Sequence, residues 1–187
     1  MLPTATRSRV LLALAVVSAL CGACGAGASG GAAAEAQAPK PPLGKGTPAQ
    51  NLSNAYLVAQ AKLARDDFAG ARSAFGNVQA AVKATGLPMT AELVKQLEAA
   101  AVEGGAAPDI AHLRTIFARL SEAMLVWFKT QPNPLTDPLI VAHCPMALEG
   151  KGARWLQTGK QLRNPYYGAE MLTCGSTEAT LAPNKTL

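Results

Sequence analysis

Apolar positions recur along the middle of this chain at steps of four and three. Leu57, Ala61, Ala64, Phe68, Ala71, Phe75, Val78 and Val82 form one such series. This spacing predicts one long amphipathic helix with a coiled-coil-like seam. Either Asn51 or Ser53 can cap its start, and Gly86-Leu-Pro88 stops it. A second, shorter helix starts after Thr90, shows Leu93 and Leu97 on its apolar face, and runs out by Gly104–Gly105. A third opens at Pro108-Asp109 and carries Ile110, Leu113, Phe117, Leu120, Met124 and Trp127, until Gln131-Pro-Asn-Pro134 ends it. Short turns between such helices predict an antiparallel helical bundle, and so a mainly α fold.

The pattern changes after residue 134. Pro138-Leu-Ile-Val-Ala-His143 is a short β-branched run, a strand or an extended segment. Glycine and proline then recur at Gly150, Gly152, Gly159, Pro165, Gly168 and Gly175. This predicts an irregular C-terminal cap with one short helix near Arg154 to Leu162. The folded domain is expected over 51–178, with 179–187 a frayed tail.

The N-terminal pattern differs again. Arg7 and Arg9 precede the apolar run Val10–Leu20, which has the length of a signal-peptide core and is too short to span a bilayer comfortably. Cys21-Gly-Ala-Cys24 follows, so residues 1–24 read as a lipoprotein-type signal with Cys24 as the lipidated residue. Cleavage at a small-x-small site among Ala26 to Ala38 is the alternative. Residues 25–50, rich in Gly, Ala, Ser and Pro, lack the apolar residues for a core and read as a tether. The expected location is the periplasm, with a lipid anchor in the outer membrane because Gly25 carries no retention carboxylate. A soluble periplasmic or secreted protein is the alternative.

Charge adds one exclusion. Seventeen Lys and Arg stand against twelve Asp and Glu, a net +5 that becomes 15 − 12 = +3 without Arg7 and Arg9. No basic stripe interleaves with aromatics, so nucleic acid is not an expected partner. No Ser/His/Asp order, HExxH, phosphate loop or dinucleotide fingerprint is present, and an enzyme is not expected.

Chemistry gathers instead between His143 and Gly175. Cys144-Pro145-Met146 should be extended at Cys144, because proline disfavours the helical region for its predecessor. Residues i and i+2 then point the same way, bringing thiol and thioether together. Met171 and Cys174 would meet on one side of a turn. If both segments converge, two thiolates and two thioethers offer a soft site for Cu(I) or Ag(I). Zinc suits thioether poorly, and His143 would face away from Cys144. The competing reading is a Cys144–Cys174 disulfide, closing a loop of about thirty residues and stabilising by about 3.5–4 kcal/mol, with the methionines as packing residues.

The pattern CPMA…GARWLQ…NPYYGAEMLTCG resembles the C-terminal signature of the bacterial family catalogued as domain of unknown function 3347. Tyr56-Leu57…Leu63-Ala64-Arg65-Asp66-Asp67…Ala71 is similar to that family's first helix, so the resemblance covers about residues 50–178. Such domains occur alone or fused to periplasmic adaptor subunits of copper/silver efflux systems. The resemblance implies heavy-metal handling, efflux components as partners, copper(I) as the metal, and Cys144, Met146, Met171 and Cys174 as its ligands. No adaptor module is attached here. Asp66 and Asp67 read first as a solvated helix face, although the resemblance favours Asp67 as a partner for Arg154 or Arg163. His112 reads as a surface residue, and Trp155, Asn164, Tyr166 and Tyr167 as the packing and turn of the cap.

Overall fold

The computed structural model describes residues 45–84 and 86–187; the signal segment 1–24, Cys24 and most of the tether lie outside the described residues. The protein is mainly helical, with a small three-stranded sheet. Helix α1 spans Pro48–Leu63, α2 Phe68–Lys83, α3 Ala91–Gly105 and α4 Ile110–Phe128. Among the described residues no helix is long and apolar enough to cross a membrane.

The first expected helix is two. α1 starts earlier than the pattern suggests, because Thr47 and Gln50 form a capping box ahead of Asn51. It ends at Leu63, and Asp66 takes a left-handed conformation at φ 58°. Asp67 then caps α2 by accepting from the Gly70 amide at 2.8 Å. The break also rephases the apolar stripe. Leu52, Ala55, Tyr56, Ala59 and Leu63 are buried in α1, whereas Ala61 is only half-buried. α2 follows the expected seam, with Ala71, Phe75, Val78 and Val82 buried. Thr90 and Asp109 cap α3 and α4 as their positions predict, accepting from the Leu93 and His112 amides.

Consecutive helices pack on one another. Gly104 permits a close approach of α3 to α2, since a Cβ there would stand 2.1 Å from Cδ1 of Phe75. Phe117 on α4 is the aromatic centre: it stacks on Tyr56 at 5.2 Å and meets Tyr166 of the cap at 5.9 Å. Tyr166 in turn meets Trp155 edge-on at 5.9 Å. The helical core thus continues into the C-terminal half without a gap.

Three antiparallel strands build that half: β1 Leu139–Cys144 in the centre, β2 Ala153–Thr158 and β3 Ser176–Leu181 on either side. The short apolar run is therefore a strand, buried along its length except at His143. The short helix expected near Arg154 to Leu162 is corrected to β2. Its buried positions, Ala153, Trp155, Leu156 and Gln157, follow no helical stripe and face both core and cap. The expected frayed tail 179–187 is also corrected. β3 runs through it to Leu181, and beyond that Asn133 takes the Lys185 carbonyl and the Asn184 amide at 2.8 and 3.0 Å. β3 is polar and exposed except at Leu181, which hides its role in the sequence.

Candidate functional site

Cys144 is the last residue of the central strand and is fully buried. The extended geometry stops there. Met146 already has helical dihedrals, and the one-turn segment Ala147–Gly150 contains two left-handed non-glycine residues, Leu148 at φ 53° and Glu149 at φ 60°. Such conformations cost on the order of 1–2 kcal/mol each and persist only where the surroundings impose them. One restraint is visible: the Tyr167 hydroxyl donates to the Met146 carbonyl at 2.6 Å. Gly152 completes the turn, where a Cβ would lie 2.8 Å from Nε2 of His143.

Cys174 arrives from the other direction. Asn164, fully buried, organises its approach. The Asn164 side chain donates to the Cys174 carbonyl at 2.9 Å and accepts from the Tyr166 amide at 2.8 Å, while its own amide donates to the Leu172 carbonyl at 2.7 Å. The Cys174 amide donates to Met171 at 3.0 Å, closing a turn. Gly175 then crosses the end of β1 at φ 130°; a Cβ there would stand 2.6 Å from the His143 carbonyl oxygen. Only glycine accommodates both that conformation and that approach.

The two segments bring the sulfurs of Cys144 and Cys174 to 2.9 Å, with both cysteines as free thiols. That is longer than a disulfide bond of about 2.05 Å. The pair is asymmetric, since Cys144 is buried and Cys174 half-buried. Its hydrogen bond with Cys144, then burial, raises the Cys174 thiol above its ordinary pKa. Burial, then the charge that either cysteine would carry as thiolate, raises the Tyr167 phenol.

The predicted site residues thus divide. The thiols come together. Met146 does not share the buried side of Cys144; it is 54% exposed, because the chain turns where an extended segment was expected. Met171 is half-buried and shares the backbone turn with Cys174. Neither methionine belongs to the hydrophobic core or packs against it. His143 pairs with Glu178, at 3.4 Å, across a bulge between β1 and β3. Among the described residues no three His, Cys, Asp or Glu side chains gather as a metal cluster. Of the four soft donors, the structure therefore brings together the two thiols, and the thioethers of Met146 and Met171 adjoin them in sequence.

The carboxylates have structural duties. Asp67 pairs with Lys62 at 2.6 Å, and Arg154 pairs with Glu122, so the expected link from Asp67 to Arg154 is replaced. Asp66 is the residue that sequence reasoning undervalued. It meets Arg114 at 2.5 Å and accepts from the Ala169 amide at 2.9 Å, fastening the α1–α2 junction to the loop that carries Met171. These two bonds, the amide first, lower the Asp66 pKa. The only local sign in the sequence is an aspartate pair interrupting a helical series. His112, exposed on α4, contacts its own cap residue Asp109.

Compared with protein-family models, curated proteins and solved structures, the chain matches none.

Proposed function

We propose that the protein binds a soft monovalent metal ion, Cu(I) or Ag(I), as cargo, with the Cys144 and Cys174 thiolates as principal ligands and Met146 and Met171 as thioether support. The observation that carries this reading is the convergence of the two thiols, each with a methionine close in sequence that stays outside the core. Methionine ordinarily fills apolar gaps. Two that stay outside the core, one close in sequence to each cysteine, suit a soft-metal ligand set instead. The role is binding rather than catalysis. The helices, read as an antiparallel bundle, are the platform beneath it.

The proposed setting is the periplasm, with heavy-metal efflux components as partners and lipid on Cys24 as the membrane attachment. This part rests on the leader and on the resemblance of the CPM…MLTCG motif. The test is a Cu(I) titration of reduced protein against a competing chelator. Binding that Cys144→Ser/Cys174→Ser abolishes is expected, and binding equal in wild type and double variant overturns the reading.

The 2.9 Å sulfur separation favours a second reading, a disulfide-stapled interaction module without a metal role. Intact mass of periplasmic protein, with and without reductant and alkylation, separates the two: a quantitative disulfide supports the staple, and alkylation of both thiols supports the metal site.

A further inference from the structure

The same two sulfurs cannot hold a metal and stay where they are. Two sulfur–metal bonds of about 2.3 Å at a tetrahedral or wider angle need the sulfurs about 3.8 Å apart or more. The observed 2.9 Å lies about midway between that separation and the sulfur–sulfur bond of about 2.05 Å. The two halves of the pair differ in access. Cys144 is fully buried at the end of the central strand, paired with Ala153 of β2, whereas Cys174 sits on a half-buried turn beside Gly175.

We infer that Cys144 and Cys174 carry out thiol–disulfide exchange, with Cys174 as the attacking thiol and Cys144 as the resolving one, and that the resulting disulfide closes the metal site. The co-reactant is a small-molecule or protein disulfide, RS–SR. The Cys174 thiolate attacks one of its sulfurs, forming Cys174–S–SR and expelling RS⁻. The Cys144 thiolate then attacks the Cys174 sulfur, forming the Cys144–Cys174 bond and expelling the second RS⁻. The protein loses two electrons and RS–SR gains them, and the two cysteine protons end on two RSH. The order follows from access: RS–SR can approach the half-buried Cys174, while the fully buried Cys144 can reach only a sulfur already at 2.9 Å.

This gate rests on the soft-metal reading, but the exchange can be tested apart from it. The full chain carrying Cys21→Ser and Cys24→Ser, so that only two thiols respond, is reduced and treated with oxidised glutathione. Intact mass should show a protein lighter by two hydrogens with no glutathione retained. In that background Cys144→Ser should keep one glutathione on Cys174, and Cys174→Ser should stay unmodified. A brief iodoacetamide pulse on the two-thiol protein should label Cys174 at least tenfold faster than Cys144, a readout that needs no further substitution. Stable glutathionylation of the two-thiol protein, or faster labelling of Cys144, overturns the exchange. Ag(I) competition against a chelator is then read on both redox forms, and the reduced form should bind at least tenfold more tightly. Equal binding by both forms overturns the gate and leaves the soft-metal reading standing. Absence of binding by the reduced form removes that reading and the gate, while the glutathione result still decides the exchange.

Discussion

The helical half and the C-terminal half of this protein are held together by different means. α1 to α4 bury leucines, alanines and aromatics in stripes that follow the helical period. The C-terminal half depends on three buried amides. Asn133 donates to the Asp137 and Leu181 carbonyls and accepts from the Leu135 amide. Gln157 accepts from Trp155 and the Arg163 amide and donates to Gly159 and Gln161. Asn164 ties down Cys174 as described. Each amide stands in for backbone pairing in a segment too irregular to pair with itself. The helical half should therefore fail when volume is lost, and the cap when a hydrogen bond is lost.

The largest effects test that contrast directly. Leu120→Ala, at a fully buried α4 position, should cost about 3–4 kcal/mol in urea unfolding by leaving a cavity. Asn164→Ala should approach it at about 3 kcal/mol, although it removes no apolar contact, because two backbone groups lose their buried partner. It should also lower the yield of the Cys144–Cys174 bond under mild oxidation, which Leu120→Ala should leave intact. If Asn164→Ala costs less than about 1 kcal/mol, the contrast is wrong.

Tyr56→Phe probes the joint between the halves. The Tyr56 hydroxyl accepts from the Leu156 amide at 2.9 Å and contacts the Ser121 hydroxyl at 2.8 Å, closing the outer side of β2 against α1 and α4. Its loss should cost about 1–2 kcal/mol, with faster amide exchange at Leu156 than in the helices. Burial holds this phenol well above its ordinary pKa, so an absorbance titration should find it silent until the protein unfolds.

The smallest effect is electrostatic. The folded-state pKa of Asp66 is depressed, so its contribution is complete above the ordinary carboxylate value and disappears as pH falls through the folded one. Exchange at the Ala169 amide should therefore gain protection with pH across this acid window. Asp66→Asn should flatten the dependence at a cost of under about 1 kcal/mol, since the ion pair is partly solvated.

These bonding modes also explain which features can be read from the chain. α3 and α4 were legible to their capping residues because stripe and cap are local signals. The break between α1 and α2 was not. Asp66 can hold its left-handed backbone with partners on Arg114 and Ala169, which are far away in sequence. β2 showed no apolar alternation because its buried face carries the polar Gln157 while Leu156 is buried on the other, and β3 no apolar pattern because it is an exposed edge. At the site, residue chemistry singled out both cysteines but left open whether they meet. Their meeting depends on Asn164 and Gly175, whose roles are set by what the folded chain places beside them.

The exposure of Met146 has a practical consequence. A thioether in solvent is open to oxidation, and its sulfoxide presents a hard oxygen where a soft sulfur stood. This side chain stands outside the hydrophobic core, so the lesion should leave unfolding curves nearly unchanged. A preparation can then be fully folded, with both cysteines reduced, and still lack one of its four candidate donors. Peptide mass mapping of Met146 would reveal such damage, which stability measurements would miss.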